Sequence, residues 1–176
     1  DQHPEMARVV HDEIADVLGD KPPTLKTLQS LKQTRNAVNE ALRLYPAVWF
    51  AAPRSNKLED VMQGYQVTKG SLNFVNLFLM HRNATIWEDA DRFLPARFDA
   101  LTDIQQRAFR PFAYMPHQCL GAYVAGLEIV LVCAMILQRY RIDLIAPMPT
   151  DKLPYDLRTT LRPGNPIPAR LHKRHR

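Results

Sequence analysis

One cysteine has the surroundings that cysteine chemistry requires. Cys119 follows an irregular segment containing Pro111 and Pro116, and a long apolar helix is expected to begin just after Gly121. A thiol at a helix N-terminus feels the positive end of the helix dipole and nearby free N–H groups, and both favour the thiolate form. A thiolate is either a nucleophile or a metal ligand. The local sequence alone is more typical of a buried structural cysteine, and only the rest of the chain changes that balance.

A second set of residues predicts an ion-pair network. Glu40 and Arg43 are three residues apart on a predicted helix, so both project from one face and can pair. Such pairs are common on surface helices and contribute only ~0.2–0.5 kcal/mol. If Arg97, in the motif P-A-R-F, folds back onto Glu40, the carboxylate accepts from two guanidinium groups. A buried network of this kind would fix a loop in place rather than perform chemistry.

Several elements must position these residues. Apolar spacing predicts a helix over Pro4–Leu18 and a second helical stretch that starts at Thr24 or Thr27 and ends at Tyr45. A third helix should run from Gly121 to Leu137. Short extended runs predict strands at Ala47–Ala52, Tyr65–Val67, Ser71–Met80, Arg141–Ile145, Asp156–Leu161 and Ile167–Leu171, with a helical turn at Thr85–Asp91. The predicted fold class is α+β, mostly helical in its buried mass.

The apolar window Cys119–Leu137 is nearly long enough to cross a membrane. A spanning helix needs roughly 20 apolar residues with few charges. Here Glu128 lies near the middle, and Arg139 and Arg141 follow at once. The pattern therefore favours a helix buried on all sides in a soluble core. Such a helix needs protein on every face, so we expect the chain to be part of a larger fold.

Composition and charge narrow the class of protein. A chain of 176 residues with 46% hydrophobic residues is typical of one globular domain. The net charge of +5 comes partly from a basic tail, His172–Arg176, and no basic patch interleaved with aromatic residues predicts a nucleic-acid partner. Two cysteines do not make a disulfide framework, and Cys133 is interpreted as a packing residue. We therefore expect a reducing compartment, the cytoplasm or the cytoplasmic face of a membrane.

Four motifs follow one another in a specific order. They are E-A-L-R-L-Y-P (Glu40–Pro46), H-R-N-A-T-I-W-E-D-A-D-R-F (His81–Phe93), P-A-R-F (Pro95–Phe98), and H-Q-C-L-G followed by A-G-L-E (His117–Glu128). Each motif is weak by itself, but the order and spacing of all four are specific. Together they resemble the C-terminal half of the cytochrome P-450 family, the haem-thiolate monooxygenases.

The resemblance implies a role for particular residues. Cys119 would be the axial ligand of haem b iron, and a thiolate in that position donates electron density that favours O–O cleavage. His117, two residues before the cysteine, and Arg54 match positions that bind the haem propionates. The structural triad of the family carries over to Glu40, Arg43 and Arg97. The resemblance assigns no catalytic residue in this chain, and His81 is interpreted as structural, bonded to backbone near the sheet.

The loop before the cysteine departs from the family pattern. In the family this loop usually contains Phe, two variable residues, Gly and then the basic position. Without a gap, Phe112 matches the phenylalanine, but Met115 takes the place of the glycine that lets backbone approach the porphyrin. The interpretation favoured by the sequence is that a short glycine-rich piece is absent. Phe112 would then lie outside the family motif.

Family members are more than twice as long as this chain. Residues 1–176 are therefore predicted to be the C-terminal part of one domain, without its distal half. The resemblance implies oxygen insertion from O₂ into a small apolar substrate, with electrons from a reductase or ferredoxin that docks on Arg107, Arg110 and Arg139. Two alternatives stay open at this point. One is a haem-thiolate isomerase or dehydratase, which needs no reductase, and the other is a truncated module without haem.

Overall fold

A computed structural model describes residues 3–114, 116–146 and 154–174 of the chain. The helices are α1 (Pro4–Leu18), α2 (Leu25–Ser30), α3 (Lys32–Leu44), α4 (Leu77–Met80), α5 (Asp103–Ala108) and α6 (Ala122–Arg139), with a 3-10 helix at Pro95–Asp99. Helix α1 begins with a proline in its first turn and ends at Gly19, whose φ of 52° suits glycine. The predicted bounds of α1 are confirmed.

The strands of the described residues form two-stranded antiparallel ladders. Strand β1 (Arg54–Ser55) pairs with β4 (Leu72–Asn73), and β2 (Asp60–Met62) pairs with β3 (Tyr65–Val67). Strand β5 (Tyr140–Leu144) pairs with β8 (Ala169–Lys173), and β6 (Tyr155–Leu157) pairs with β7 (Leu161–Pro163). The prediction of helices combined with small sheets is confirmed.

The main core lies where α1, α2, α3 and α6 meet. On α1 the buried residues Val10, Ile14 and Leu18 recur at helical spacing, so they share one face. They pack in one cluster with Val38 of α3 and with the buried residues of α6. Burial of this face stabilises the helix that carries Glu40 and Arg43, because α3 is fixed against both of its neighbours.

Helix α3 is capped by a side chain from α1. Its own N-cap residue, Leu31, has no polar side chain, and Glu13 takes over that role. The Glu13 carboxylate accepts from the backbone N–H groups of Gln33 at 2.6 Å and Thr34 at 2.8 Å, and from the Thr34 hydroxyl at 2.8 Å. These bonds satisfy N–H groups that a helix start leaves without partners, and they join α1 to α3.

The prediction of one helix ending at Tyr45 is wrong in one respect. The stretch is divided into α2 and α3 at Leu31, whose φ of −77° and ψ of 75° are not helical. Leu31 is fully buried in the core, so the break directs an apolar side chain inwards. Thr24 caps α2 by accepting from the N–H group of Thr27, which agrees with the first of the two predicted starting points.

Three of the predicted strands are corrected by the structure. In Ala47–Ala52 only Phe50 forms a bridge, with Asn76, and the flanking prolines lack the N–H groups that a ladder needs. Ser71–Met80 contains β4 and then α4, because the Asn76 side chain accepts from the N–H group of Leu79 and starts a helix. Asp156–Leu161 is the turn of the β6–β7 hairpin with parts of both strands.

The other predicted elements differ from the structure mainly in their bounds. Tyr65–Val67 is β3 as predicted, and Arg141–Ile145 corresponds to β5. The last strand is Ala169–Lys173, later in the chain than the predicted Ile167–Leu171. Residues 85–91 form turns, with the N–H groups of Ile86 and Trp87 both donating to the Asn83 carbonyl. That arrangement agrees with the predicted helical turn.

Helix α6 is not buried on all sides, and that prediction is wrong for this chain. Its buried residues are Val130 and Ala134, whereas Tyr123, Val124 and Val132 are exposed by 68%, 65% and 47%. The reason is that α1, α2 and α3 cover only one side of the helix. By length and composition α6 is also long and apolar enough to cross a membrane.

Candidate functional site

Cys119 lies in the loop immediately before α6. Its backbone N–H group donates to the Phe112 carbonyl at 2.9 Å, and its own carbonyl accepts from Ala122, the first residue of α6, at 3.2 Å. The N-cap residue of α6 is Gly121, which offers no side chain to the first turn. The thiol therefore stands at the N-terminus of an 18-residue helix whose leading N–H groups have no side-chain cap.

The thiol of Cys119 is accessible and has no partner among the described residues. The side chain is exposed, and within the described residues it makes no hydrogen bond or ion pair. A Cβ atom added at Gly121 would lie 3.8 Å from Sγ, so the space beside the sulfur is bounded by backbone rather than by a bulky side chain. Leu120, Tyr123 and Val124, which follow it, are exposed apolar residues. An accessible sulfur with apolar surface near it fits the needs of a large, flat, apolar cofactor.

Cys119 does not belong to a larger cluster of metal-ligating side chains in the described residues. Over residues 3–114, 116–146 and 154–174, no cluster of three or more His, Cys, Asp or Glu side chains could hold a metal ion. A metal bound at Cys119 would therefore take most of its ligands from a cofactor. The donor set, a single sulfur, fits a haem iron, because the porphyrin itself supplies the equatorial ligands.

The two predicted propionate partners lie in different places. His117 is in the cysteine loop, where its backbone N–H group donates to the Tyr114 carbonyl at 2.8 Å and its side chain is exposed. Arg54 is in β1, and its guanidinium reaches only the neighbouring Pro53 carbonyl, at 3.2 Å. Neither side chain pairs with a carboxylate in the part of the chain that is described. The structure thus groups His117 with Cys119 but forms no bond between Arg54 and that loop.

Glu40, Arg43 and Arg97 come together in the structure. Arg43 donates to both oxygens of the Glu40 carboxylate, from Nε at 2.7 Å and from Nη2 at 2.8 Å. Arg97 donates from Nε to Oε1 of Glu40 at 3.0 Å, and the Leu94 N–H group reaches the same oxygen at 2.9 Å. The side chains of Glu40 and Arg43 are fully buried, and that of Arg97 is 9% exposed. A buried carboxylate with four donors is well compensated for the loss of water.

Arg43 also connects α3 to a long loop. Its Nη1 atom donates to the carbonyls of His81 at 2.6 Å and Ala90 at 2.7 Å, and its Nη2 atom donates to the Arg92 carbonyl at 3.2 Å. The fully buried ring of Trp87 lies 5.2 Å from the Arg43 guanidinium. The network therefore fastens residues 81–97 to α3. The residue types predicted the ion pairs, but no sequence signal identifies the three carbonyl acceptors.

His81 holds the next part of the chain with its ring. The side chain is fully buried, and its Nε2 atom accepts from the backbone N–H group of Arg110 at 3.0 Å. Burial lowers the pKa of His81 to about 4, although nearby backbone acceptors oppose this shift. The bond to backbone agrees with the structural role expected of this histidine. Its partner, however, is the segment leading to the cysteine loop and not a sheet.

The predicted basic docking face is only partly assembled. Arg107 lies in the last turn of α5, and Arg110 follows three residues later, with its guanidinium 4.6 Å from the centre of the Tyr114 ring. Arg139 is the last residue of α6, and a helix of 18 residues is about 27 Å long. Arg139 therefore lies at the opposite end of α6 from Cys119, and we correct the expectation that a redox partner docks on all three arginines at one face beside the cysteine.

The described residues thus combine an accessible thiol at a helix N-terminus with a separate long loop that a buried carboxylate and two arginines fasten to α3. The sequence model of the cytochrome P-450 family matches residues 2–166. The chain belongs to the cytochrome P-450 family.

Individual relatives agree with this assignment. A protein of Streptomyces melanosporofaciens, named cyclooctat-9-en-7-ol 5-monooxygenase, is 34% identical over 153 residues, covering 86% of this chain and 32% of its own. The protein LUTEIN DEFICIENT 5, chloroplastic, of Arabidopsis thaliana is 29% identical over 155 residues, covering 85% of this chain and 26% of its own. Carotene epsilon-monooxygenase, chloroplastic, also of Arabidopsis thaliana, is 31% identical over 144 residues, covering 78% and 26%. The chain thus spans about a third or less of the length of these relatives.

Proposed function

We propose that residues 1–176 form the C-terminal part of a haem-thiolate monooxygenase domain and that Cys119 supplies the axial ligand of haem b. The observation that carries the proposal is the exposed thiol immediately before α6, which has no partner in the described residues, in a chain of this family. Relatives named for oxidising cyclooctat-9-en-7-ol and carotene support a small apolar substrate. The remainder of the domain would complete the pocket above the haem.

The residues of this chain would bind and orient the cofactor. Haem supplies the chemistry of O₂ activation, and a thiolate ligand favours cleavage of the O–O bond. The N-terminal end of α6 lies next to Cys119, and no side chain caps its N–H groups. His117 and Arg54 would donate to the two propionates, a role that fits exposed side chains without an acidic partner in the described residues.

The hydrogen-bond network around Glu40 would hold the segments that lead to the cysteine loop in a fixed position. Arg43 and Arg97 fasten residues 81–97 to α3, and His81 continues the connection to Arg110, upstream of the cysteine loop. Neither guanidinium is placed to reach a substrate, because both are directed at Glu40 and backbone carbonyls. Their proposed role is therefore structural, as the residue types predicted.

Electrons would come from a redox partner, a reductase or a ferredoxin. Arg107 and Arg110, which lie on the segment leading to Cys119, are the residues we assign to its docking surface. Cys119 and Cys133 are both free thiols, which supports a reducing compartment.

The spectrum of the ferrous carbon monoxide complex tests the proposal. We expect the 176-residue chain, reconstituted with haem, to give the strongly shifted Soret band of a thiolate-ligated iron. Cys119→Ala should remove that band, whereas the matched control Cys133→Ala should retain it, because Cys133 lies within α6 and packs against the core. A chain that shows no thiolate band with haem, or a Cys119→Ala variant with an unchanged band, would overturn the ligand assignment. The first outcome would favour a module without haem.

A further inference from the structure

His81 connects two parts of the site through two different atoms. Its backbone carbonyl accepts from Nη1 of Arg43 at 2.6 Å, which joins it to the Glu40 network. Its ring Nε2 atom accepts from the backbone N–H group of Arg110 at 3.0 Å. Arg110 comes two residues before Phe112, whose carbonyl in turn accepts from the N–H group of Cys119. A short path of hydrogen bonds and covalent backbone therefore leads from the buried carboxylate to the cysteine.

The ring of His81 is held in one orientation, as an acceptor for the Arg110 N–H group requires. The side chain is fully buried, and its centre lies 5.7 Å from that of Phe109, which in turn packs edge-on against Phe98 at 4.9 Å. An acceptor role for Nε2 requires that the neutral ring carry its hydrogen on Nδ1. The Nδ1 atom is buried and makes no hydrogen bond within the described residues, although the backbone acceptors of Arg43 and Ala108 lie near the ring. The bond that Nε2 accepts from Arg110 is therefore the one hydrogen bond that the ring makes in this part of the chain.

We propose that neutral His81 is a positioning residue for Cys119, because its ring anchors the backbone at Arg110 and so fixes where the cysteine loop begins. Helix α6 fixes where the loop ends, and the bond between Phe112 and Cys119 closes it. With both ends held, the thiol stays in one place relative to the α6 N-terminus. The inference extends the proposed function, since it rests on Cys119 as the haem ligand.

The chemistry requires an acceptor at this position rather than a ring as such. A protonated imidazole would present an N–H group to the N–H group of Arg110 and would repel it. The side chain of glutamine carries an oxygen at about the distance of Nε2 from the backbone, so it can take over the acceptor role. Leucine fills a similar volume but leaves the Arg110 N–H group without a partner.

The test compares His81→Gln with His81→Leu in the 176-residue chain. By hydrogen exchange, we expect the Arg110 amide to exchange at least tenfold faster in His81→Leu, while amides at the centre of α1 keep their rates. On reconstitution with haem, the fraction of iron with the thiolate Soret band should fall several-fold in His81→Leu. His81→Gln should recover most of both losses. A purely structural role would give the two variants the same local exchange and the same spectrum.

Two outcomes would overturn the inference. One is wild-type Arg110 exchange and thiolate fraction in His81→Leu, and the other is a His81→Gln variant no better than His81→Leu. If His81→Leu does not fold, nitrogen NMR of the wild-type ring decides, because a hydrogen on Nε2 at neutral pH excludes the acceptor role. A wild-type chain without any thiolate band would contradict the proposed function, while the exchange result at Arg110 would still stand.

Discussion

Two Glu–Arg ion pairs in this chain are both three residues apart on a helix, but one is exposed to water and the other is buried. Glu5 and Arg8 form an ion pair on α1 with side chains 80% and 66% exposed, whereas Glu40 and Arg43 on α3 are fully buried. Water screens the first pair and competes for its hydrogen bonds. The second pair has no water, so each lost bond leaves a buried group without a partner.

This difference predicts unequal effects of the same substitution. Glu40→Gln should lower the free energy of unfolding by about 3–5 kcal/mol, because Arg43 and Arg97 lose their shared counter-charge. Glu5→Gln should change it by less than about 1 kcal/mol. Urea denaturation of both variants measures the two values. Similar losses in both variants would mean that burial does not determine the strength of the Glu40 network.

The ion pairs at Glu40 could be predicted from residue types, but the rest of the site could not. Opposite charges at helical spacing and a second arginine after a proline suffice to suggest the network. The carbonyl groups that receive Arg43, and the Arg110 N–H group that meets His81, are backbone atoms present in every residue. Only the folded path of residues 81–110 selects them, so no pattern in the sequence points to them.

At the scale of elements, α3 depends on α1 for its start. Its N-cap position is occupied by Leu31, and the N–H groups of its first turn are satisfied by Glu13, 20 and 21 residues earlier. A helix that carries two members of the buried network is thus begun by a side chain from a different helix.

Removal of this cap should destabilise the whole chain. We expect Glu13→Ala to lower the free energy of unfolding by about 1–2 kcal/mol, as for loss of an ordinary N-cap. The matched control is Asp16→Ala, an acidic residue on the same helix that is exposed and makes no hydrogen bond in the described residues. Thermal or urea unfolding of the two variants distinguishes them. Equal stabilities would show that Glu13 contributes no more than an exposed surface charge.

Long periodic elements were predictable, and short ones were not. The apolar spacing of α1 predicted the helix, and Pro4 and Gly19 predicted where it begins and ends. The break at Leu31 was missed because leucine is a good helix former, and here burial in the core overrides local preference. Residues 47–52 have the composition of a strand, but prolines on both sides prevent a continuous ladder.

At the scale of the whole molecule, burial of His81 makes stability depend on pH. Burial lowers the pKa of its ring from 6.5 to about 4, and the positive charges of Arg43 and Arg82 act in the same direction. The unfolded chain therefore binds a proton more readily than the folded one. Stability that is complete at neutral pH is lost as the pH falls from 6.5 towards 4.

The size of this loss can be measured by comparison with a variant. One pKa unit corresponds to about 1.4 kcal/mol, so protonation of His81 should account for about 3 kcal/mol between neutral pH and pH 4. His81→Gln lacks this titration and should lose correspondingly less stability over the same range. Urea unfolding of both chains at several pH values provides the measurement. Parallel pH profiles would contradict the assignment to His81.

The exposed apolar face of α6 also concerns the whole molecule, because this helix needs more protein around it than the described chain provides. The side of the helix that carries Val124 and Val132 is exposed, at 65% and 47%, and the relatives are about three times as long or longer. The apolar composition of α6 led to the prediction of complete burial, and the helix would satisfy that prediction only with more protein around it. Sequence hydropathy thus describes the environment a helix needs and does not say which polypeptide segment provides it.

The position of Trp87 has an optical consequence. Its indole is fully buried 5.2 Å from Arg43 and 6.0 Å from Arg97, and the other of the two tryptophans, Trp49, is partly exposed. A chain in which Trp49 is replaced by phenylalanine therefore has a single emitter, located beside both guanidinium groups. A red shift of its fluorescence would record the entry of water between α3 and residues 81–97, and it can be measured in the protein before haem is added.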